Sequence, residues 1–275
     1  KTMYSRNLTA KIKHRMDSGK AIVVIGPRQA GKTTLIESIL TSKDYLLLNG
    51  DDPKTRTLLN EPNTEQIRTL LGNYKYVFID EAQRIQGIGL TMKIITDKFK
   101  NVQLFASGSS SFDLSNKINE PLTGRKWEYH LFPISWEEYE NHHGYLYAEQ
   151  NLENRLLYGF YPDVLNNIGD EISILRNLVN SYLYKDILSY VDIRKPEVLD
   201  KLVQALALQI GSEVNYSELT QIVNVDKNTI SKYIDILEKG YIIFKLNSFS
   251  RNVRNEIKTN KKIYFYDNGI RNMII

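Results

Sequence analysis

Short apolar runs separated by helix-like stretches dominate the first half of the chain. AIVVI at residues 21–25 is followed by similar runs at residues 45–48, 76–79 and 102–106. Runs this short and continuous are typical of buried strands. Because they alternate with helix-like stretches, they predict a parallel sheet with crossover helices. A fifth strand is expected at residues 128–132, and the helices are predicted at residues 32–40, 64–71 and 90–99.

The hydrophobic pattern becomes helical after residue 135 and is interrupted at Lys195-Pro196. Beyond this break we predict two short helices, at residues 216–223 and 227–238, and then two strands that flank a basic, Asn-rich loop. Helix, turn, helix and a two-stranded ribbon form the winged-helix pattern. The chain is therefore expected to contain three domains, at residues 1–140, 141–195 and 196–275.

The composition changes this picture little. Hydrophobic residues make up 42% and charged residues 25% of the 275 residues, as in ordinary globular proteins. The chain has no cysteine, which excludes a disulfide framework and thiolate metal sites. This suits a reducing compartment, and we expect a cytoplasmic protein. No apolar stretch approaches the roughly 20 residues that span a bilayer, so no membrane partner is expected.

A glycine-rich loop follows the first predicted strand. Residues 26–33, GPRQAGKT, match G-x-x-x-x-G-K-S/T between a strand and a helix, the context that identifies a P-loop. Gly26 and Gly31 are expected to adopt torsions that other residues resist, and the loop amides to donate to phosphate. Lys32 should reach the β- and γ-phosphates of ATP, and Thr33 should bind Mg²⁺. The predicted nucleotide-binding residues are Gly26, Pro27, Arg28, Gln29, Ala30, Gly31, Lys32, Thr33 and Thr34.

Acidic and hydroxyl side chains end the next two buried strands. YVFIDE places Asp80 and Glu81 together, and adjacent buried carboxylates are costly unless they serve a cation or reacting water. We expect Asp80 to bind Mg²⁺ with Thr33, and Glu81 to orient or deprotonate the attacking water. Ser107 and Ser109 are alternative candidates for a γ-phosphate contact. The sequence does not choose between them, and an ordinary Ser-Gly turn explains them equally well.

Several strings resemble a known group of proteins. GPRQAGKTT, YVFIDEAQRI, SGSSSFDL and LTGRKWEYHLFPISWEEY are similar to the ATPase core of a bacterial and archaeal AAA+ superfamily group usually called predicted ATPases. GFYPDVL, YLYKDIL and NTISKYIDILEKGYIIFKLNSFSRNVRNEIKTNKKIYFYDNGIRN resemble its C-terminal region. The resemblance implies an α/β core with strand order 5-1-4-3-2, a helical lid and a winged helix. Members commonly carry a nuclease-like domain after the winged helix. Since this sequence opens on Lys1 and closes within an apolar pattern, we expect it to be part of a longer protein.

Two residue roles are implied by the resemblance alone. Arg125 occupies the LTGR position, which in AAA proteins commonly supplies an arginine finger to a neighbouring subunit, and this implies a homo-oligomer. The alternative is an exposed arginine in a turn. Pro162 in YGFYPDV resembles a lid proline that lies near adenine, although an ordinary helix-entry turn explains it as well.

Basic and polar residues cluster in the predicted winged helix. If Ile230, Ile234 and Leu237 pack inward, the opposite face of their helix presents Lys, Asn and Ser side chains suited to phosphate and base-edge contacts. The following loop would act as a wing that touches backbone phosphates. The alternative is a protein-contact or lid module with a solvated wing. The predicted DNA-binding residues are Lys227, Asn228, Ser231, Lys232, Arg251, Arg254 and Lys258.

Taken together, these features favour Mg²⁺-dependent ATP hydrolysis coupled to duplex DNA binding. A slow, nucleotide-controlled switch that contacts protein would use the same residues and is the alternative. A small-molecule kinase is disfavoured because Glu81 suits water activation, and a helicase because the sequence contains no second ATPase-like core.

Overall fold

The computed structural model describes residues 2–109, 118–181, 196–247 and 261–275. The chain divides into two compact units, Met3–Glu138 and Tyr139–Ile275 with Lys1–Thr2. The additional boundary expected between residues 195 and 196 lies within the second unit and stays a prediction. In the described ranges, no helix combines the length and apolar character needed to cross a membrane.

The first unit contains a five-stranded parallel sheet. Its strands are β1 (Ala21–Ile25), β2 (Tyr45–Asn49), β3 (Tyr76–Asp80), β4 (Gln103–Gly108) and β5 (Lys126–His130). Its helices include α1 (Leu8–Arg15), α2 (Lys32–Leu40), α3 (Pro53–Leu59), α4 (Thr64–Leu71) and α5 (Ile88–Lys98). The strand order is β2-β3-β4-β1-β5 with every neighbouring pair parallel, which confirms the expected order 5-1-4-3-2.

The central strands are apolar because both faces of a parallel sheet are covered. Every residue of β1, β3 and β4 is buried, whereas β2 and β5 at the sheet edges are partly exposed. Exposure explains why the prediction for β5 was wrong by two residues. Its sequence, KWEYH, has no continuous apolar run. The predicted strand therefore extends to the apolar Leu131 and Phe132, which follow the observed strand. The paired residues run from Ala21↔Lys126 to Ile25↔His130.

Helices follow β5, and a small antiparallel sheet precedes the last helix. The helices up to residue 181 are α6 (Trp136–His143), α7 (Tyr145–Gln150), α8 (Leu152–Tyr158), α9 (Pro162–Asn166) and α10 (Glu171–Val179). The later elements are α11 (Pro196–Leu208), β6 (Glu213–Val214), α12 (Tyr216–Val223), α13 (Lys227–Lys239), β7 (Ile243–Leu246), β8 (Lys261–Phe265) and α14 (Asn268–Ile274). The sheet has the order β6-β8-β7. The two-residue strand β6 was not predicted.

Helix α13 has the start and the buried face that the sequence predicts. Its N-cap Asp226 accepts a hydrogen bond from the backbone amide of Asn228 at 2.9 Å, which satisfies a helix-end donor. Ile230, Ile234 and Leu237 are fully buried. The hydrophobic face of the helix therefore packs inward as expected.

A buried carboxylate joins the last helix to an earlier turn within the second unit. Asp267, the N-cap of α14, accepts hydrogen bonds from the backbone amides of Phe160 at 2.7 Å and Ile270 at 3.1 Å. Burial raises the pKa of Asp267 to about 6, and these amides and Arg155 oppose the shift. A Cβ on Gly159 would lie 2.1 Å from Asp267 Oδ1, so only glycine fits beside this carboxylate.

Candidate functional site

The P-loop joins β1 to α2 at the carboxyl edge of the parallel sheet. Gly31, the N-cap of α2, has φ of 94°, a left-handed torsion that favours glycine. Gly26 has no positive φ, so the torsional reason predicted for it was wrong. A Cβ at this position would lie 1.9 Å from the Leu131 carbonyl oxygen. Gly26 is therefore required by close packing against the segment that follows β5.

The ammonium of Lys32 is buried inside the loop. Its Nζ donates to the carbonyl oxygens of Gly26 at 3.0 Å and Pro27 at 2.7 Å, and the residue is 5% exposed. Burial lowers the pKa of Lys32 to about 8, while Glu81 and Asp80 oppose the shift. Because burial disfavours the charged form of Lys32, an anion bound in the loop would stabilise that charge and attract it strongly. The loop thus fits a phosphate.

Asp80 connects the P-loop to the two neighbouring strands. Its Oδ2 accepts from the Thr33 hydroxyl at 2.9 Å, and its Oδ1 accepts from the Ser107 hydroxyl and from the Glu81 amide. Asp80 is 8% exposed and Ser107 is fully buried. Mg²⁺ prefers hard oxygen ligands and usually takes one or two from protein, with phosphate oxygens and waters completing its shell. The pair Thr33 and Asp80 therefore fits the predicted Mg²⁺ site.

Glu81 stands at the end of β3 in a backbone conformation that non-glycine residues rarely adopt. Its φ of 49° and ψ of 41° are left-handed, a strained conformation that costs about 1–3 kcal/mol and that clusters at functional sites. Gly50 lies against this turn, since its amide donates to the Asp80 carbonyl at 2.8 Å and a Cβ on it would lie 2.4 Å from the Glu81 carbonyl oxygen. The neighbouring strand thus fixes the backbone that carries the two carboxylates.

A buried glutamine, Gln83, also belongs to the site, and the sequence did not single it out. Its Nε2 donates to Glu81 Oε2 at 2.5 Å and to Ser109 Oγ at 2.9 Å. This contact distinguishes the two candidate serines, because Ser107 bonds Asp80 whereas Ser109 joins Glu81 through Gln83. Residues 81 and 109 are brought together by adjacent strands, so no local pattern reports the contact.

Arg6 is a second residue that sequence reasoning missed. Its guanidinium donates to the carbonyl oxygens of Ala30 at 2.9 Å and Phe132 at 2.5 Å, and to Glu138 Oε2 at 3.1 Å. Both charged side chains are more than nine-tenths buried. Burial lowers the pKa of Arg6, and the Glu138 charge opposes this shift. The N-terminal segment therefore braces the P-loop against the chain that follows β5.

Arg125 does not join the other predicted catalytic residues. It precedes β5, and its carbonyl accepts from the Ala21 amide at the start of β1, whereas the P-loop follows the end of β1. Five strand residues separate these edges by about 16 Å. The Arg125 side chain bonds Asp97 Oδ1 at 2.7 Å. A role toward its own P-loop is therefore disfavoured, and the role in a neighbouring subunit stays a prediction.

The remaining predicted residues lie in the second unit or outside the described residues. Pro162 is the first residue of α9, the arrangement expected of a helix-entry turn, and its contact with adenine stays a prediction. On α13, Lys227, Asn228 and Lys232 are exposed and Ser231 is half-buried. Arg251, Arg254 and Lys258 lie outside the described residues.

Comparisons with protein families divide the chain at nearly the same place. Residues 18–140 match the family described as AAA domain. Residues 149–275 match the family described as Domain of unknown function (DUF8612). The first match covers β1 to β5 and thus the whole P-loop edge.

Similar proteins occur in several bacteria and archaea. An uncharacterized protein of Haemophilus influenzae is 25% identical, over 98% of this chain and 73% of its own length. The uncharacterized protein Rv2008c of Mycobacterium tuberculosis is 23% identical, over 98% of this chain and 59% of its own length. This chain therefore spans about three fifths of the mycobacterial relative.

A solved structure shares the fold. The Walker-type ATPase PABY2304 of Pyrococcus abyssi superposes with a TM-score of 0.65 at 16% identity, covering 99% of this chain and 96% of that chain. Similarity at this identity shows a common fold. The AAA domain match covers residues 18–140 of the same chain.

Proposed function

We propose that this chain, whose residues 18–140 match the family described as AAA domain, binds ATP with Mg²⁺, hydrolyses it, and couples hydrolysis to duplex DNA binding by a winged helix. The observation that carries the ATPase proposal is the 2.9 Å hydrogen bond from Thr33 to Asp80. It joins the P-loop hydroxyl to the carboxylate at the end of β3, 47 residues away. A glycine-rich turn without a nucleotide role would not require this pairing.

The residues of the loop explain nucleotide binding. Its backbone amides and the N-terminus of α2 present donors to phosphate oxygens. Lys32 would exchange its two carbonyl partners for phosphate oxygens, and Thr33 and Asp80 would hold Mg²⁺. Bound Mg²⁺ neutralises charge that develops on the phosphates.

The residues at the ends of β3 and β4 explain hydrolysis. Glu81 is the carboxylate placed to accept a proton from the attacking water. Its Oε2 accepts a hydrogen bond from Gln83 Nε2 at 2.5 Å, so Oε1 would be the oxygen that accepts the proton. Ser107 donates a buried hydrogen bond to Asp80 and would keep this carboxylate oriented toward Mg²⁺. Glu81 would then act as the base.

The binding test is a comparison of two lysines in the first unit. Lys32→Ala removes the buried ammonium, and we expect calorimetry to show ATP affinity lowered by at least about tenfold, which is 1.4 kcal/mol. Lys98→Ala removes an exposed ammonium at the C-terminal end of α5 and should leave ATP affinity unchanged. Equal ATP affinity in both variants and the parent would refute the site.

Duplex DNA is the proposed partner of residues 196–275. The described elements follow the order helix, strand, helix, helix, strand, strand, helix, and α13 presents exposed Lys227, Asn228 and Lys232. Lysine and asparagine suit phosphate and base-edge contacts. The test is steady-state ATP hydrolysis with and without duplex DNA, and stimulation by DNA is the expected result.

A slow switch whose winged helix contacts protein is the second candidate. The Lys245 ammonium is bonded to Asp235 and, at 2.9 Å, to Glu238, so this basic residue is already neutralised. Slow hydrolysis that duplex DNA does not change would favour this candidate.

A further inference from the structure

We propose that Gln83 is a positioning residue that sets the orientation of the Glu81 carboxylate and couples it to Ser109 at the end of β4. The inference rests on the proposed hydrolysis, in which Glu81 receives the proton of the attacking water. It assigns a role to a residue outside the phosphate-binding loop and the two strand-end carboxylates.

The geometry around Gln83 places one amide group between two elements of the site. Its Nε2 lies 2.5 Å from Glu81 Oε2 and 2.9 Å from Ser109 Oγ. Gln83 is 2% exposed and Ser109 is 4% exposed, so water does not compete strongly for these contacts. A short 3-10 turn at Ala82–Arg84 follows the left-handed Glu81 and returns the glutamine side chain toward the carboxylate.

The chemistry of an amide explains why glutamine suits this position. A –CONH₂ group has two N–H donors, so it can bond a carboxylate and a hydroxyl at once. A hydrogen bond to an ionised carboxylate is stronger than a neutral one and fixes one of its oxygens. Ser109 accepts from Gln83 through an oxygen lone pair, so this hydrogen bond does not use the hydroxyl proton. Gln83 therefore links a candidate γ-phosphate contact to the base.

The first arm of the test needs no nucleotide. Gln83→Met removes both donors at similar length, and Ser109→Ala removes the acceptor. Urea unfolding of the full chain is followed by the fluorescence of Trp127 and Trp136, the two tryptophans, which both lie in the first unit. If the residues are coupled, the midpoint of the double variant falls by less than the sum of the two single shifts.

The second arm measures turnover and ATP affinity. Gln83→Met should lower kcat by about tenfold to a hundredfold, the scale of a misplaced catalytic group, while ATP affinity stays within about twofold of the parent. In the Glu81→Gln background, Gln83→Met should cause no further loss. A merely structural glutamine would lower stability without this dependence on Glu81.

A matched control comes from the opposite edge of the sheet. Gln103 is also buried, and its Nε2 donates to the Lys20 carbonyl at 2.9 Å. Gln103→Met should lower the unfolding midpoint and leave kcat unchanged. Additive midpoints for Gln83 and Ser109, or an equal loss of kcat with and without Glu81, would overturn the inference. The parent's own turnover and the Lys32→Ala affinity test the proposed function separately.

Discussion

Two buried aspartates, Asp80 in the first unit and Asp267 in the second, are surrounded by different donors. They are almost equally buried, at 8% and 6% exposure. Asp80 accepts from the hydroxyls of Thr33 and Ser107 beside a buried ammonium. Asp267 accepts from the backbone amides of Phe160 and Ile270.

The difference shows that burial of a carboxylate is not by itself a sign of catalysis. Backbone amides hold Asp267 in a helix cap and leave its oxygens committed to the fold. Hydroxyls around Asp80 can rotate, and a cation can replace their hydrogen bonds with oxygen ligation. A carboxylate that binds a cation is therefore expected to have hydrogen-bond donors, such as hydroxyls, that the cation can displace. Substitutions around the two aspartates should accordingly change different properties.

The largest effect is expected at Arg125, which would complete the Asp80 region of a neighbouring subunit. Arginine fingers contribute about 10³–10⁵ in rate, so Arg125→Ala should lower kcat by about 10³ or more. Turnover per subunit of the parent should rise with protein concentration. Mixing Arg125→Ala with Lys32→Ala should restore activity, since one variant keeps a P-loop and the other a finger.

The ion pair with Asp97 supplies the control for this prediction. Asp97→Asn removes the charge that now holds Arg125 and should not lower turnover. Full activity of a dilute monomer, without rescue on mixing, would show that Arg125 has no role in a partner. Sedimentation measured at the assay concentrations distinguishes these outcomes.

A smaller but still large effect is expected at Glu81, beside Asp80. Glu81→Gln keeps the shape and removes the base, so kcat should fall by about 10²-fold or more. ATP affinity should not change, because the loop and Asp80 are intact. Glu65→Gln, on an exposed face of α4, is the matched control and should match the parent in steady-state assays. Parental turnover in Glu81→Gln would assign water activation to another residue.

The proposed DNA surface extends the comparison to the basic loop that the sequence predicts to be a wing. Replacing Arg251, Arg254 and Lys258 together with alanine should weaken duplex binding for all sequences. The slope of log affinity against log salt should flatten by about 0.9 for each phosphate that the protein no longer neutralises. Titration of labelled duplexes at several salt concentrations measures this slope. A parent without salt-dependent affinity at low ionic strength would favour the protein-contact alternative.

The smallest effect is expected at Asp267 and concerns stability alone. Asp267→Ala leaves buried amides without an acceptor, so unfolding free energy should fall by about 1–3 kcal/mol while ATP affinity stays unchanged. The pKa of about 6 lies above the usual aspartate value, so the folded state binds more protons between about pH 4 and 6. The contribution of Asp267 to the stability of the parent should therefore fall as pH rises through this window. Urea unfolding of Asp267→Asn, which cannot titrate, should lack that component, and an unchanged pH profile would contradict the assignment.

The sheet could be predicted from sequence because its central strands are continuous apolar runs. The edge strand β5 was misplaced by two residues, since KWEYH lacks such a run. The strand β6 was missed because two residues carry no periodicity. The strand order came from resemblance to known ATPases, because periodicity identifies strands but not their neighbours.

The site was predictable where its residues are consecutive. Lys32 and Thr33 belong to one motif, and Asp80 and Glu81 follow directly from a buried strand. Gln83 is adjacent in sequence yet lacks a pattern, because its role depends on a serine 26 residues away. The different hydrogen-bond partners of Ser107 and Ser109 depend on the sheet register that brings β3 and β4 together.

The hydrogen bonds of Arg6 determine where a recombinant fragment of the first unit should begin. The family match begins at residue 18, and Arg6 contacts both Ala30 in the P-loop and Glu138. A recombinant fragment that begins at residue 18 would lack the Arg6 guanidinium and would still contain Glu138. Glu138 would then be a buried anion without its cation, an arrangement that typically costs about 3–5 kcal/mol. The N-terminal boundary of a stable first unit is therefore expected ahead of Arg6. Biochemical dissection should keep the first helix and the segment before it.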